Sequence, residues 1–156
     1  MGKRQFTYAE DTTVPPERVI GALTDFSERR PEIWPALSAG RYKLLEQGDR
    51  TALVREGTAT GWAEERYDWS EPGVVRITCQ GGNFLNPGTE WIYRVTPLDA
   101  GGSHVDVDIT RDYKGAHGLF WETVIRSMGG GKLLGRYLRQ TLDILEKEEA
   151  TATRSG

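Results

Sequence analysis

From Arg4 to Thr13 apolar and polar positions alternate, with Phe6 and Tyr8 on one face and Thr7 on the other, the period of a half-buried strand. Pro15 and Pro16 end it and fix the backbone for a helix start; Val19, Ile20 and Leu23 then follow at helical spacing to about Phe26. Ser27 suits the N-cap of a second short turn holding Ile33 and Trp34, which Pro35 terminates because the residue before a proline avoids helical backbone. From Gly40 to Thr110 the period is two, broken at Gln47-Gly48-Asp49, Gly57 to Gly61, Glu71-Pro72-Gly73, Gly81 to Gly88 and Asp99 to Gly102. These breaks predict six strands, about Gly40 to Glu46, Thr51 to Ala59, Trp62 to Ser70, Val74 to Gln80, Thr89 to Pro97 and Ser103 to Tyr113. Short turns make successive strands antiparallel neighbours, since parallel pairs need a long crossover.

Near Ala116 the period changes again: Phe120, Val124, Met128, Leu134, Leu138, Leu142 and Leu145 recur at helical intervals to about Glu149. This predicts one long C-terminal helix, kinked or broken at Gly129-Gly130-Gly131, where each glycine costs up to about 1 kcal/mol relative to alanine. The small polar residues 151–156 read as a disordered tail, which leaves residues 1–150 as a single domain.

A sheet with one apolar face and a helix with one apolar stripe must cover each other, an α+β arrangement. Trp91, Tyr93 and Val95 share one parity, as do Val105, Val107 and Ile109, and these sets point inward; Glu90, Arg94, Asp106 and Asp108 point out. Tyr67 and Trp69 are likewise assigned inward. The order of elements, and the passage from Arg111-Asp112-Tyr113 through the glycines into Leu134-Gly135-Arg136-Tyr137-Leu138, resemble the START-like (SRPBCC) superfamily, in particular its polyketide cyclase/dehydrase branch, over about Phe6 to Glu148. The resemblance lies in architecture and spacing rather than in a catalytic signature. It implies a helix-grip fold: a curved seven-stranded antiparallel sheet around the long C-terminal helix, two short helices between strands 1 and 2, and a deep cavity that takes hydrophobic molecules, lipids or polyketides.

At 156 residues the chain has the size of one domain and buries roughly 70% of its unfolded surface. Its 37% hydrophobic and 28% charged residues exclude a disordered or membrane-embedded chain. The segment from Met1 to Val14 has no apolar run fit for a signal peptide or a spanning helix, and the expected location is the cytoplasm. A net charge of −3 gives no reason to expect nucleic acid or an anionic membrane as partner. Cys79, the only cysteine, permits no internal disulfide and no thiolate-rich metal cluster; sharing a face with Val75 and Ile77, it reads as a buried small hydrophobe.

A strongly curved sheet cannot touch one helix along its whole concave face, so bulky side chains fill the gap or a hollow remains. Trp34, Tyr67, Trp69, Phe84, Trp91, Tyr113, Phe120, Trp121 and Val124 are the candidate ligand-binding residues, rings with polar tips being suited to an apolar pocket with a few orienting hydrogen bonds. The bland reading of each is core packing, which is favoured for Trp91, Val105 and Val107. Continuing the parity from Ile109 puts Arg111 and Tyr113 inside, where a guanidinium needs a carboxylate, backbone carbonyls or a ligand oxygen. A rim salt bridge to Glu56 or Asp112 is the structural alternative. Arg111 and Tyr93 are the candidate catalytic pair for stabilising an enolate, with His117 near the mouth as an acid/base candidate. His104, Asp106 and Asp108 share a strand face but lie on its solvent side, so no metal is expected. Gly129-Gly130-Gly131-Lys132 lacks the strand, spacing and hydroxyl residue of a phosphate loop. Phe84 and Leu85 are read as an apolar loop tip able to cover the cavity.

The leading expectation is a cofactor-free binder of a hydrophobic small molecule, as monomer or homodimer. An enzyme that cyclises or dehydrates such a ligand is the first alternative. An interaction module of co-chaperone or antitoxin type, with a filled interior, is the second.

Overall fold

The structure, a computed structural model, describes residues 3–58 and 61–155. Strand β1 (Arg4–Thr12) leads into helices α1 (Pro16–Leu23) and α2 (Arg30–Ile33), and six strands follow: β2 (Lys43–Gln47), β3 (Thr51–Gly57), β4 (Trp62–Asp68), β5 (Val74–Gly82), β6 (Glu90–Pro97) and β7 (Ser103–Arg111). Helices α3 (Gly115–Ser127) and α4 (Gly131–Ser155) complete the chain. All strands pair antiparallel in the order β1-β7-β6-β5-β4-β3-β2, so the two ends of the strand sequence meet through β1 and β7. The seven antiparallel strands are those the alternation predicts, and their arrangement with the C-terminal helix is the helix-grip fold that the resemblance implies. Ala59, the expected end of the third strand, lies outside the described residues, as do Thr60 and the chain ends 1, 2 and 156.

Cross-strand register explains what the concave face presents. One row runs Phe6, Ile109, Trp91, Ile77, Tyr67 and Ala52 across six strands, and a second runs Tyr8, Val107, Tyr93 and Val75. The fully buried side chains Val54, Val75, Val105, Val107, Ile109, Leu138 and Leu142 come from this face and from the apolar stripe of α4. Burying such a side chain contributes about 1.5–3 kcal/mol. Pro15 precedes α1 and Pro16 opens it, the position where a missing N–H costs nothing.

Two boundaries differ from the sequence reading, and the expected break in the long helix is complete. Residues 39–41 form a 3-10 turn, so β2 begins at Lys43, and it is a wholly exposed edge strand with a bulge between Leu44 and Glu46. The long C-terminal helix is broken at the glycines where a kink or break is expected, which divides it into α3 and α4. Gly129 and Gly130 have φ of +98° and +53°, a backbone that only glycine adopts freely, and a Cβ on Gly130 would sit 3.0 Å from the Phe6 ring. The break therefore lets the start of α4 seat against β1. Finally, α4 continues to Ser155 over most of the expected tail, and the hydroxyls of Thr151, Thr153 and Ser155 each donate to the carbonyl one turn back.

Candidate functional site

Between the concave face and α4 lies a cavity of about 190 Å³. Its lining includes Tyr8, Trp34, Tyr67, Trp91, Tyr93 and Arg111, together with the carboxyl residues Glu56 and Glu65. A second chamber, also about 190 Å³, opens between α3 and α4 and is lined by Trp121, Val124, Ile125, Met128 and Leu133. Thr58, Gly61, Phe84, Arg111, Leu134 and Tyr137 line both, so the inner and outer chambers adjoin at these residues, the neck of the site. Together the chambers reach the low end of the roughly 300–1,000 Å³ usual for small-molecule sites.

The neck is held by the β5–β6 connection. Leu85 is 1% exposed and bridges to Tyr113, Asn86 N–H donates to the Asp112 carbonyl (2.8 Å), and Lys114 N–H donates to the Phe84 carbonyl (2.9 Å). Leu85 is thus an anchor and not a loop tip, because the loop is clamped by backbone hydrogen bonds to the strand exit; Phe84 alone faces the mouth.

Two buried cations dominate the interior, and they are treated differently. Arg30, on α2, is fully partnered: Nε and Nη2 donate to the two carboxylate oxygens of Glu56 (2.9 and 3.2 Å), Nη2 also donates to the Tyr67 hydroxyl (2.7 Å), and Nη1 donates to the carbonyls of Leu23 and Asp25 (3.2 and 3.0 Å). Tyr67 in turn donates to Glu56. Burial pushes the Glu56 carboxyl up, but the Arg30 charge and the hydrogen bonds from Arg30, Tyr67 and Glu65 outweigh it and hold Glu56 below the usual carboxylate range. Glu65 shows the opposite result: burial, the Glu56 charge and the hydrogen bond to Glu56 raise its acid well above that range. Burial and the neighbouring Glu56 charge thus favour the protonated form of Glu65.

Arg111, 9% exposed, has no salt bridge among the described residues. Nη1 donates to the Tyr113 hydroxyl (3.4 Å), the guanidinium lies 5.4 Å from the Trp91 ring centre, and Nε has no hydrogen-bond partner. The anticipated rim bridge does not form: Glu56 is occupied by Arg30, and the Asp112 carboxylate accepts from Asn86 (3.3 Å). Tyr8 and Tyr93 flank Val107 in the register, and their hydroxyls interact; burial and that interaction raise Tyr93, and burial takes Tyr8 to about 12.

Of the aromatic candidates, Trp34, Tyr67, Phe84 and Trp91 line the inner chamber or neck, and Trp121 and Val124 line the outer one. Trp91, expected as core packing, faces the cavity, whereas Val105 and Val107 are core. Trp69 packs against Phe26, 5.8 Å between ring centres, and does not reach the cavity. Tyr113 is buried in a side cluster with Ala63, Cys79 and Leu85, touching the site through Arg111. Phe120, at 60% exposure, and His117 lie on the outer face of α3, where the helical turn directs them away from both chambers; His117 stands edge-on to Trp121, 6.4 Å between ring centres. His104 is paired on the outer surface with Asp11 (2.5 Å) and Asp106 (3.2 Å), and no cluster of metal-ligating residues occurs among the described residues.

Sequence reasoning missed Arg30, Glu65 and Tyr8. The signal for Glu65 was present: it shares the parity of Tyr67, which was assigned inward. Tyr8 had the same signal on β1. Arg30 sits in a helix of four residues with no periodicity to show its direction.

Residues 3–148 match the family model described as polyketide cyclase/dehydrase and lipid transport. This chain belongs to that family. Among solved structures it is similar to the Zhui aromatase/cyclase from Streptomyces sp. R1128 (15% identity, 94% of this chain and 95% of that one, TM-score 0.74). It is also similar to a START superfamily protein from Mycobacterium smegmatis (15%, 94% and 97%, TM-score 0.68) and to truncated norcoclaurine synthase from Thalictrum flavum (6%, 92% and 94%, TM-score 0.67). At these identities the likeness establishes the fold. No curated protein matches the sequence. No helix among the described residues is long and apolar enough to cross a membrane.

Proposed function

We propose that the protein binds a hydrophobic small molecule, lipid- or polyketide-like, in the inner and outer chambers, with an oxygen-bearing end at Arg111. Arg111 carries this reading. A guanidinium stays charged in proteins, and an unmade hydrogen bond from a buried group costs about 1–3 kcal/mol, more for a charged one. A guanidinium that lines an aromatic-walled hollow with one hydrogen bond to protein and no salt bridge among the described residues supports an acceptor supplied by a ligand. The family description, which covers cyclisation, dehydration and lipid transport, supports the apolar nature of the ligand. An interaction module with a filled interior fits the two chambers poorly. The buried, unbridged Cys79 suits the cytoplasm.

Native mass spectrometry of the purified chain, followed by solvent extraction, tests the proposal. The expected result is a retained apolar molecule that Arg111→Met no longer holds. A chain that retains nothing and takes up no apolar probe overturns it.

A second reading, an enzyme that cyclises or dehydrates such a ligand, is favoured by the presence of Arg111, Tyr93 and the acid Glu65 in one chamber. In an enzyme, Tyr93→Phe loses turnover and keeps most ligand affinity; in a binder, affinity is the only quantity that changes.

A further inference from the structure

Two carboxyl groups face the inner chamber from β3 and β4, and the scaffold neutralises only one of them. Glu56 is saturated by Arg30 and Tyr67. All five N–H groups of Arg30 are directed to Glu56, Tyr67, Leu23 and Asp25, which leaves none for a second carboxylate. Glu65 enters the same chamber on β4, between the inward residues Ala63 and Tyr67, and shares a hydrogen bond with Glu56. Two carboxyls in hydrogen-bond contact hold a proton between them. Because Glu56 is the ion-paired member, the proton belongs to Glu65 and is directed at Glu56. The second oxygen of Glu65 then presents lone pairs to the cavity. Arg111 lines the same chamber, and its guanidinium makes a single hydrogen bond to protein, from Nη1 to the Tyr113 hydroxyl, with Nε buried and unpartnered. The scaffold thus leaves one acceptor and one charged donor for the ligand.

We infer that Glu65 and Arg111 together select a ligand hydroxyl, that of a phenol or enol, whose O–H is given to Glu65 while its oxygen accepts from Arg111. This rests on the cavity-binding reading above. A carboxylate satisfies Arg111 but sets its own lone pairs against the Glu65 oxygen, with no proton left to share. An ether accepts from Arg111 and leaves Glu65 without a donor. A hydrocarbon leaves both groups unpaired. Glu65 is therefore a specificity-determining residue that favours hydroxylated rings or enols over fatty acids.

Four probes of one size test the inference: naphthalene, 1-methoxynaphthalene, 1-naphthol and 1-naphthoate, titrated at pH 7 against the full chain and followed by tryptophan fluorescence, since Trp34 and Trp91 line the chamber. The expected result is 1-naphthol bound roughly tenfold more tightly than 1-methoxynaphthalene, the worth of one hydrogen bond, and also ahead of 1-naphthoate. Glu65→Gln keeps that preference within about threefold, because the amide donates N–H to Glu56 and retains its carbonyl for the ligand. Glu65→Leu abolishes the preference while naphthalene still binds. Should Glu65→Leu fail to fold, as its melting curve would show, the four-probe series on the unaltered chain decides alone. Tightest binding of 1-naphthoate, or equal binding of 1-naphthol and its methyl ether, overturns the assignment of Glu65 and leaves the cavity reading standing. Binding of none of the four overturns both.

Discussion

Arg30→Met removes the cation at the centre of the interior network. Arg30 and Glu56 have side chains 3% and 4% exposed and meet through two hydrogen bonds, so the substitution leaves a carboxylate buried with only the Tyr67 and Glu65 hydroxyls for support. The carbonyls of Leu23 and Asp25 also lose their donor. Removing one member of a buried pair costs about 3–5 kcal/mol. For a chain of this size about 2–4 °C in Tm accompanies each kcal/mol, so the melting point should fall by about 6–20 °C. Thermal unfolding followed by far-UV circular dichroism, with a urea titration to obtain the free energy, gives both numbers. Adding Glu56→Leu to Arg30→Met should restore a large part of the loss, because replacing both partners of a buried pair by apolar groups is often close to neutral. A fall of less than about 2 °C, the behaviour of an exposed ion pair, would refute the claim that this network is sealed in the core.

Glu65→Gln should stabilise the protein increasingly above pH 4.5, the ordinary value of its carboxyl, because the folded chain holds a proton there that the unfolded chain releases. Its Tm advantage over the unaltered protein grows with pH up to the raised value and vanishes in acid; a constant advantage would mean that Glu65 is ionised in the fold. Cys79, pushed by burial to about 11, carries roughly one thiolate per thousand molecules at pH 8, so Ellman's reagent should react only after urea unfolding. Gly130→Val combines a left-handed φ with a Cβ 3.0 Å from the Phe6 ring and should cost about 1–3 kcal/mol by urea titration, more than the same change at the unhindered Gly21.

Period-two alternation revealed the sheet because the strands other than β2 turn one face toward the interior, and short turns fixed the antiparallel order. The edge strand β2 was misplaced for the converse reason: all its residues are exposed, so burial leaves no mark on their pattern. Arg111, Tyr93 and most of the ring residues could be placed by parity alone. Glu56 was legible only as a possible partner of Arg111, and Glu65 was passed over although its parity matched Tyr67. Pairing across space decides which buried charge is satisfied, and Arg30 reaches Glu56 across 26 positions of sequence. Phe120 and His117 were misdirected because α3 is shallow, with only Gly118 and Glu122 buried, so its apolar positions do not mark one face.

The internal chamber as the ligand site is tested most directly by filling it. Ala36 lines the inner chamber and is only partly buried, so Ala36→Trp places an indole in the hollow without displacing the core. Isothermal titration with 1-naphthol should give one site per chain in the unaltered protein and none in Ala36→Trp, with the two circular dichroism spectra superimposable. Undiminished binding to the filled chain would place the ligand on the outer surface and contradict the account.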